Sequence, residues 1–247
     1  MKNSIFLRTA FVAVMAVGFS VQAQMPGGNQ AGLNAAMLKL FGTTTAFTSK
    51  ASVRMLDKAQ AETMSMTMDF AMLDGKVRAE IDLSQIKSKE MPPEAAASLK
   101  AMGMDKMVSV VLPEKKNTLV IYPSLRSYAE VPMSKDDAST MDTKYKIETT
   151  KLGTETLDGH ACVKNKVLVT GEKGDKHEAV VWNATDMKDF PLQMQMNQNE
   201  ATVVMRYSNV QLVRPDAKQF EAPTGFTKHA SVEQMMQGAM LKMLGGK

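Results

Sequence analysis

Segment 63–83 constrains the fold more than any other part of the chain. Met64, Met66, Met68, Phe70 and Met72 alternate with Thr63, Ser65, Thr67, Asp69 and Ala71, and then Val77, Ala79, Ile81 and Leu83 alternate with Lys76, Arg78, Glu80 and Asp82. A period of two is that of a strand with one buried face. Asp74-Gly75, between the two runs, suits the positive φ values of a two-residue type I′ turn. Closing a hairpin there opposes Met72 to Val77, Phe70 to Ala79, Met68 to Ile81 and Met66 to Leu83, so the apolar side chains of both strands share one face. A slip of one residue would turn that whole face to water, which fixes the register.

The same period recurs along the chain. Phe47, Ala51, Val53 and Met55 alternate with polar residues, and further strands are expected at 107–112, 118–122 and 127–131. A meander follows at 144–155, 161–170, 177–182, 190–197 and 201–213, with polar, glycine-bearing turns such as Asp158-Gly159. Helices are few. Leu33, Met37, Leu38, Leu40 and Phe41 share a helical face. Residues 93–102 follow Pro92-Pro93 with good helix formers, and Ser134 caps a turn over 134–141. Residues 231–244, capped by Ser231, carry Met235, Met236, Met240, Met243 and Leu244. With about ten or eleven antiparallel strands and no βαβ alternation, the expected architecture is a sandwich or open barrel whose helices cover or plug one face. Residues 44–226 contain no composition break and read as one domain, between a leader with a short helix (24–43) and a Met-rich C-terminal helix (227–247).

Residues 1–23 have the order of a secretory signal peptide: Lys2 and Arg8, an apolar stretch over 10–19, and small residues before a cleavage point after Ala23. The apolar run is too short to span a bilayer, which takes about 20 residues. Gln24 stands where a bacterial lipid anchor needs Cys. A periplasmic location follows, without a transmembrane segment in the mature chain. Cys162 is the only cysteine, so an internal disulfide is excluded, and its place between Ala161 and Val163 suits a packed thiol. With 30 basic and 26 acidic residues and no run that would track phosphates, no nucleic-acid partner is expected.

No metalloprotease, nucleophile-elbow, phosphate-loop or zinc-spacing motif occurs, and the three histidines, His160, His177 and His229, are scattered. The chain is expected to be no enzyme and to need no cofactor. Methionine is the compositional anomaly, with 23 residues. Met is flexible and polarizable and adapts to irregular apolar shapes. The hairpin face of Met64, Met66, Met68, Phe70, Met72, Val77 and Ile81 is therefore the candidate ligand surface, with a core filled by the protein's own helices as the alternative. Met64-x-Met66-x-Met68, Met102-x-Met104 and Met194-x-Met196 also offer thioethers of the kind that select Cu(I), although a spacing of two is what any apolar strand face produces. Lys164, Lys166, Lys173 and Lys176 make a basic hairpin, read as a lysine-protected sheet edge.

Leu152-Gly153-Thr154-Glu155-Thr156-Leu157-Asp158-Gly159-His160-Ala161-Cys162, then Val181-Trp182-Asn183-Ala184 with Phe190-Pro191-Leu192, then Phe220-Glu221-Ala222-Pro223-Thr224-Gly225-Phe226, resemble the pattern of a secreted bacterial family without assigned function. That family is related to the lipoprotein-carrier and outer-membrane lipoprotein-sorting proteins, and the resemblance covers roughly 47–226. It implies a mainly β (α+β) fold: an open antiparallel half-barrel around short helices. The carriers bind lipoprotein acyl chains on their concave apolar face, so the resemblance implies a lipid or lipoprotein as partner. An envelope assembly factor with a self-filled barrel and protein partners is the second reading. The motifs themselves read as turn punctuation.

Overall fold

The computed structural model describes residues 37–135, 138, 144–172, 174, 176–198 and 201–243. The expected signal peptide, the start of the 33–41 helix, most of the 134–141 turn, Lys173 and Leu244 lie outside them. Among the described residues the main elements occur in the order β1 (Ala46–Leu56), β2 (Glu62–Leu73), β3 (Lys76–Asp82), β4 (Lys87–Ser88), α1 (Pro93–Ala101), β5 (Lys106–Leu112), β6 (Asn117–Tyr122), β7 (Ser127–Pro132), β8 (Tyr145–Leu157), β9 (His160–Gly171), β10 (Lys176–Ala184), β11 (Phe190–Gln198), β12 (Ala201–Gln211), β13 (Thr227–His229) and α2 (Val232–Met243). The strands build one open, curled sheet in the order β13-β7-β6-β5-β3-β2-β1-β12-β11-β10-β9-β8, with β4 also paired to β2. The half-barrel expected from the sequence is the observed fold. Its eleven longer strands are those that alternation marks; β4 and β13 are too short to show a period.

The β2–β3 hairpin forms as its residues require. Asp74 (φ 50°) and Gly75 (φ 81°) make the turn, and Met72, Phe70 and Met68 face Val77, Ala79 and Ile81. The fourth expected pair, Met66 with Leu83, does not form. At Leu83 the chain leaves the ladder in a short 3₁₀ turn, capped by the Asp82 carboxylate, which accepts from Ser84 N at 3.0 Å.

The core lies on both faces. On the inner, concave face one cluster gathers Phe41, Phe47, Phe70, Phe190 and Tyr207, with Phe47 4.8 Å from Phe190 and 4.9 Å from Phe41 between ring centroids. The same face continues across β3, β5 and β6 as Ile81, Met107, Val120 and Tyr122, covered by Leu99 and Met102 at the end of α1 and by Met235 and Ala239 of α2. The C-terminal helix thus packs into the half-barrel. It begins at Val232, with the Ser231 hydroxyl accepting from Gln234 N at 3.2 Å, and residues 227–229, expected with the helix, instead join the sheet as β13.

The outer face carries a third cluster, Ala71, Leu73, Val108, Val110, Leu112, Leu119 and Ile121, closed by Phe220. Phe220 sits in the 212–226 strap that crosses the outside of the sheet from β12 to its far edge. Arg214 pairs with Asp74 at the β2–β3 turn. At the other end the Arg126 guanidinium donates to Gly225 O at 3.2 Å and lies 5.5 Å from the Phe226 ring centre. Thr227 N then donates to Arg126 O at 2.8 Å, which starts the parallel β13–β7 pairing. The motif at 220–226 is the end of this strap, and Gly225 (φ 72°) makes the bend into β13.

Candidate functional site

Strand register brings apolar side chains of β1, β2, β11 and β12 into rows across the inner face. In one row Met64 opposes Met55, Met55 opposes Val203, and Val203 opposes Met196. In the next, Met66 opposes Val53, Val53 opposes Met205, and Met205 opposes Met194. Met68 continues the pattern between Ala51 and Ile81. Met194 and Met196 are buried, whereas Met55, Met64, Met66, Met68, Val203 and Met205 are half-buried. The result is a partly exposed, methionine-lined trough between the aromatic cluster and the helix-covered cluster.

The seven residues singled out by the hairpin therefore separate. Phe70 and Met72 are buried in the aromatic core, with Phe70 5.6 Å from Phe47 and 5.7 Å from Tyr207 between centroids. Val77 packs half-buried against the same core, and Ile81 is buried beside Leu83, Ile86 and Leu99. Met64, Met66 and Met68 alone reach the trough surface. Met55 and Val53 were legible as members of an alternating strand. Their union with Met205 and Val203 was not, because β12 lies some 150 positions away and no local pattern sets that register.

Polar chemistry lies elsewhere. A cleft of about 250 Å³ opens on the outer face, lined by Thr48, Lys50, Asp69, Arg78, Asn209 and Gln219 among others. Its charges are internally paired: Lys50 to Asp69 at 2.8 Å, and Arg78 to Glu80 at 2.9 Å. At the other end of the sheet Trp182 Nε1 donates to Glu155 Oε2 at 2.8 Å and Lys164 Nζ donates to Oε1 at 2.8 Å, with Lys164 4.9 Å above the indole. Those two bonds, the one from Lys164 first, hold the Glu155 carboxyl below the usual carboxylate range. Lys166 likewise pairs with Glu178 at 2.8 Å, so these lysines serve cross-strand pairs.

His160 and Asp186 meet at 2.7 Å beside Cys162, whose Sγ is 3.5 Å from His160 O. The three residue types could suggest a thiol nucleophile with its base. Burial instead pushes the Cys162 thiol up, and a protonated thiol is a poor nucleophile. The Asp186 carboxyl is lowered, first of all by its hydrogen bond to His160, on an exposed turn. Among the described residues no group of three or more His, Cys, Asp and Glu comes together as metal ligands, and no helix is long and apolar enough to cross a membrane.

Among solved structures, the chain is similar to lipoprotein LppX of Mycobacterium tuberculosis, at 10% identity over 74% of this chain and 94% of that one, with a TM-score of 0.39. A LolA superfamily protein of Nitrosomonas europaea matches at 12% identity over 79% and 98%, with a TM-score of 0.36. LprF of Mycobacterium bovis matches at 13% identity over 76% and 95%, with a TM-score of 0.37. No curated protein matches the chain. Residues 58–190, more than half of the chain, match a family described as a domain of unknown function, DUF4412. The match contains the 152–162 and 181–184 motifs and ends at Phe190, short of the strap. The chain belongs to the DUF4412 family.

Proposed function

We propose that this protein is a non-catalytic binding protein of the bacterial envelope, which takes an acyl chain or similar apolar group from a lipid or lipoprotein into the methionine trough. The observation that supports it is the register-built pair of rows Met64–Met55–Val203 and Met66–Val53–Met205, apolar throughout, with every member but the buried Val53 half-buried on the concave face. Methionine side chains can re-pack around ligands of differing shape, which suits a surface for chains of variable length. The signal-peptide pattern at 1–23 supports export to the periplasm.

The test is uptake of a fluorescent fatty acid by the purified mature protein. Saturable binding is expected, and Met64→Lys should abolish it while leaving the fold intact, because Met64 is half-exposed and a lysine there can carry its ammonium to water. Absence of saturable uptake, or uptake unchanged by Met64→Lys, refutes the reading. A second reading, an assembly factor acting through protein partners, is favoured by how far Phe41, Phe190, Tyr207, α1 and α2 already fill the inner face, and by the exposed Met240 (38%) and Leu241 (63%) on α2. It predicts no saturable uptake.

A further inference from the structure

Of the three methionine motifs with a spacing of two, two are closed to any ligand: Met102 and Met104 are 6% and 1% exposed, and Met194 and Met196 are 0% and 3%. The third is different. Met64 and Met66 point to the trough, and β1 places Met55 directly across from Met64 and one row from Met66. Directly opposed residues have Cβ atoms about 4.5–5.5 Å apart, and diagonal neighbours lie about 7–8 Å apart between Cα atoms. Three rotatable bonds per side chain let three thioethers close that spacing onto one atom.

We propose that Met55, Met64 and Met66 form a binding site for Cu(I), beyond the uptake of apolar ligands. Neutral, soft thioether donors select Cu(I) and leave Mg²⁺ and Ca²⁺ to oxygen ligands. Three neutral donors keep a single positive charge, and half-exposure of all three residues leaves that charge near water rather than in a closed apolar core. The sequence showed the i, i+2 pair on β2. Only the β1–β2 register supplies the third donor. The metal enters as Cu(I) and leaves as Cu(I), so no electron transfer is involved.

The test uses the mature protein, with Cu(I) supplied as its acetonitrile complex and competed against ferrozine under reducing, anaerobic conditions. The protein should draw Cu(I) from the chelator and show a sulfur-only first shell by X-ray absorption. Second-shell partners alone change metal affinity about 10–100-fold, so the Met55→Leu/Met64→Leu/Met66→Leu variant, which removes the donors, should bind Cu(I) more than about 100-fold more weakly. Leucine keeps the volume and apolarity of methionine, so that variant should stay folded, within about 1.5 kcal/mol of the wild type by urea unfolding. Should it fail to fold, the three single variants carry the same test, each with at least about a tenfold loss. Cu(I) left with the chelator, nitrogen or oxygen donors in the first shell, or undiminished affinity in the variants overturns the proposal. Loss of fatty-acid uptake in the wild type would overturn only the apolar-ligand reading.

Discussion

Replacing Phe47 by Ala tests whether the aromatic cluster is the keystone of the sheet. The ring is fully buried and sits 4.8, 4.9, 5.6 and 6.1 Å from Phe190, Phe41, Phe70 and Tyr207. Buried Phe→Ala changes cost about 3–5 kcal/mol, depending on how far the surroundings collapse into the space. Collapse is restricted here, because β1 is held on both sides by β2 and β12 and cannot shift without breaking two ladders. Aromatic pairings add about 0.5–1.5 kcal/mol each, but the four share one ring and do not sum. The expected loss is therefore at the upper end, about 4–5 kcal/mol, or a fall of roughly 8–20 °C in Tm for a chain of this size. Phe47→Leu, which keeps much of the volume, should lose only about 1–2 kcal/mol. Urea unfolding followed by the fluorescence of Trp182, the single tryptophan, reads both variants, with an unchanged m-value as the check that the same surface unfolds. A loss below about 1.5 kcal/mol for Phe47→Ala, or equal losses for the two variants, would refute the argument.

Two further outcomes follow from other parts of the structure. Phe220→Ala removes the plug of the outer cluster and should cost about 3–5 kcal/mol, and limited proteolysis should then cut within 212–226 before it cuts the sheet. The Glu155 carboxyl is held low in the folded chain, so its stabilising contribution is present above the unfolded value of about 4.3 and is lost as pH falls through the lowered folded value. Trp182 fluorescence in the folded protein should show an inflection below about pH 4.3 that Glu155→Gln lacks.

What was legible in the sequence was what local pattern determines. The 63–83 alternation with Asp74-Gly75 specified a hairpin down to its cross-strand pairs, and alternation elsewhere located all eleven longer strands. The Met66–Leu83 pair did not form because Leu83 N donates to Asp105 O and Ser84 N to the Asp82 carboxylate, which turn the chain out of the β2 ladder. β4 and β13 escaped notice at two and three residues, and β13 exists only because Arg126 O receives Thr227 N from a strap that begins at the other side of the sheet. The trough was half legible: its β2 members and Met55 follow from alternation, while Met205 and Val203 arrive through a pairing of distant strands. Phe70 and Met72 left the candidate surface because Phe41, six residues before Phe47, folds back onto them from a helical turn.

The pairing of β1 with β12 also bears on how this chain becomes a sheet at all. Strands β1–β7 and β8–β12 each follow as neighbours along the chain, with only the short β4 beside them, and can zip from nearby contacts. Among the described residues the two halves meet at the β1–β12 ladder, in the aromatic cluster, and through the strap, β13 and α2. Non-local pairings carry a loop-closure entropy that must be met before they return any contact energy, and this makes them slow. Until the last fifth of the chain is present, β1 is an open edge carrying Phe47, Ala51, Val53 and Met55, a surface on which another chain can pair. Closure of the full sheet therefore waits on β12 and leaves a vulnerable interval, and its seam is the place where a holding partner would be most useful.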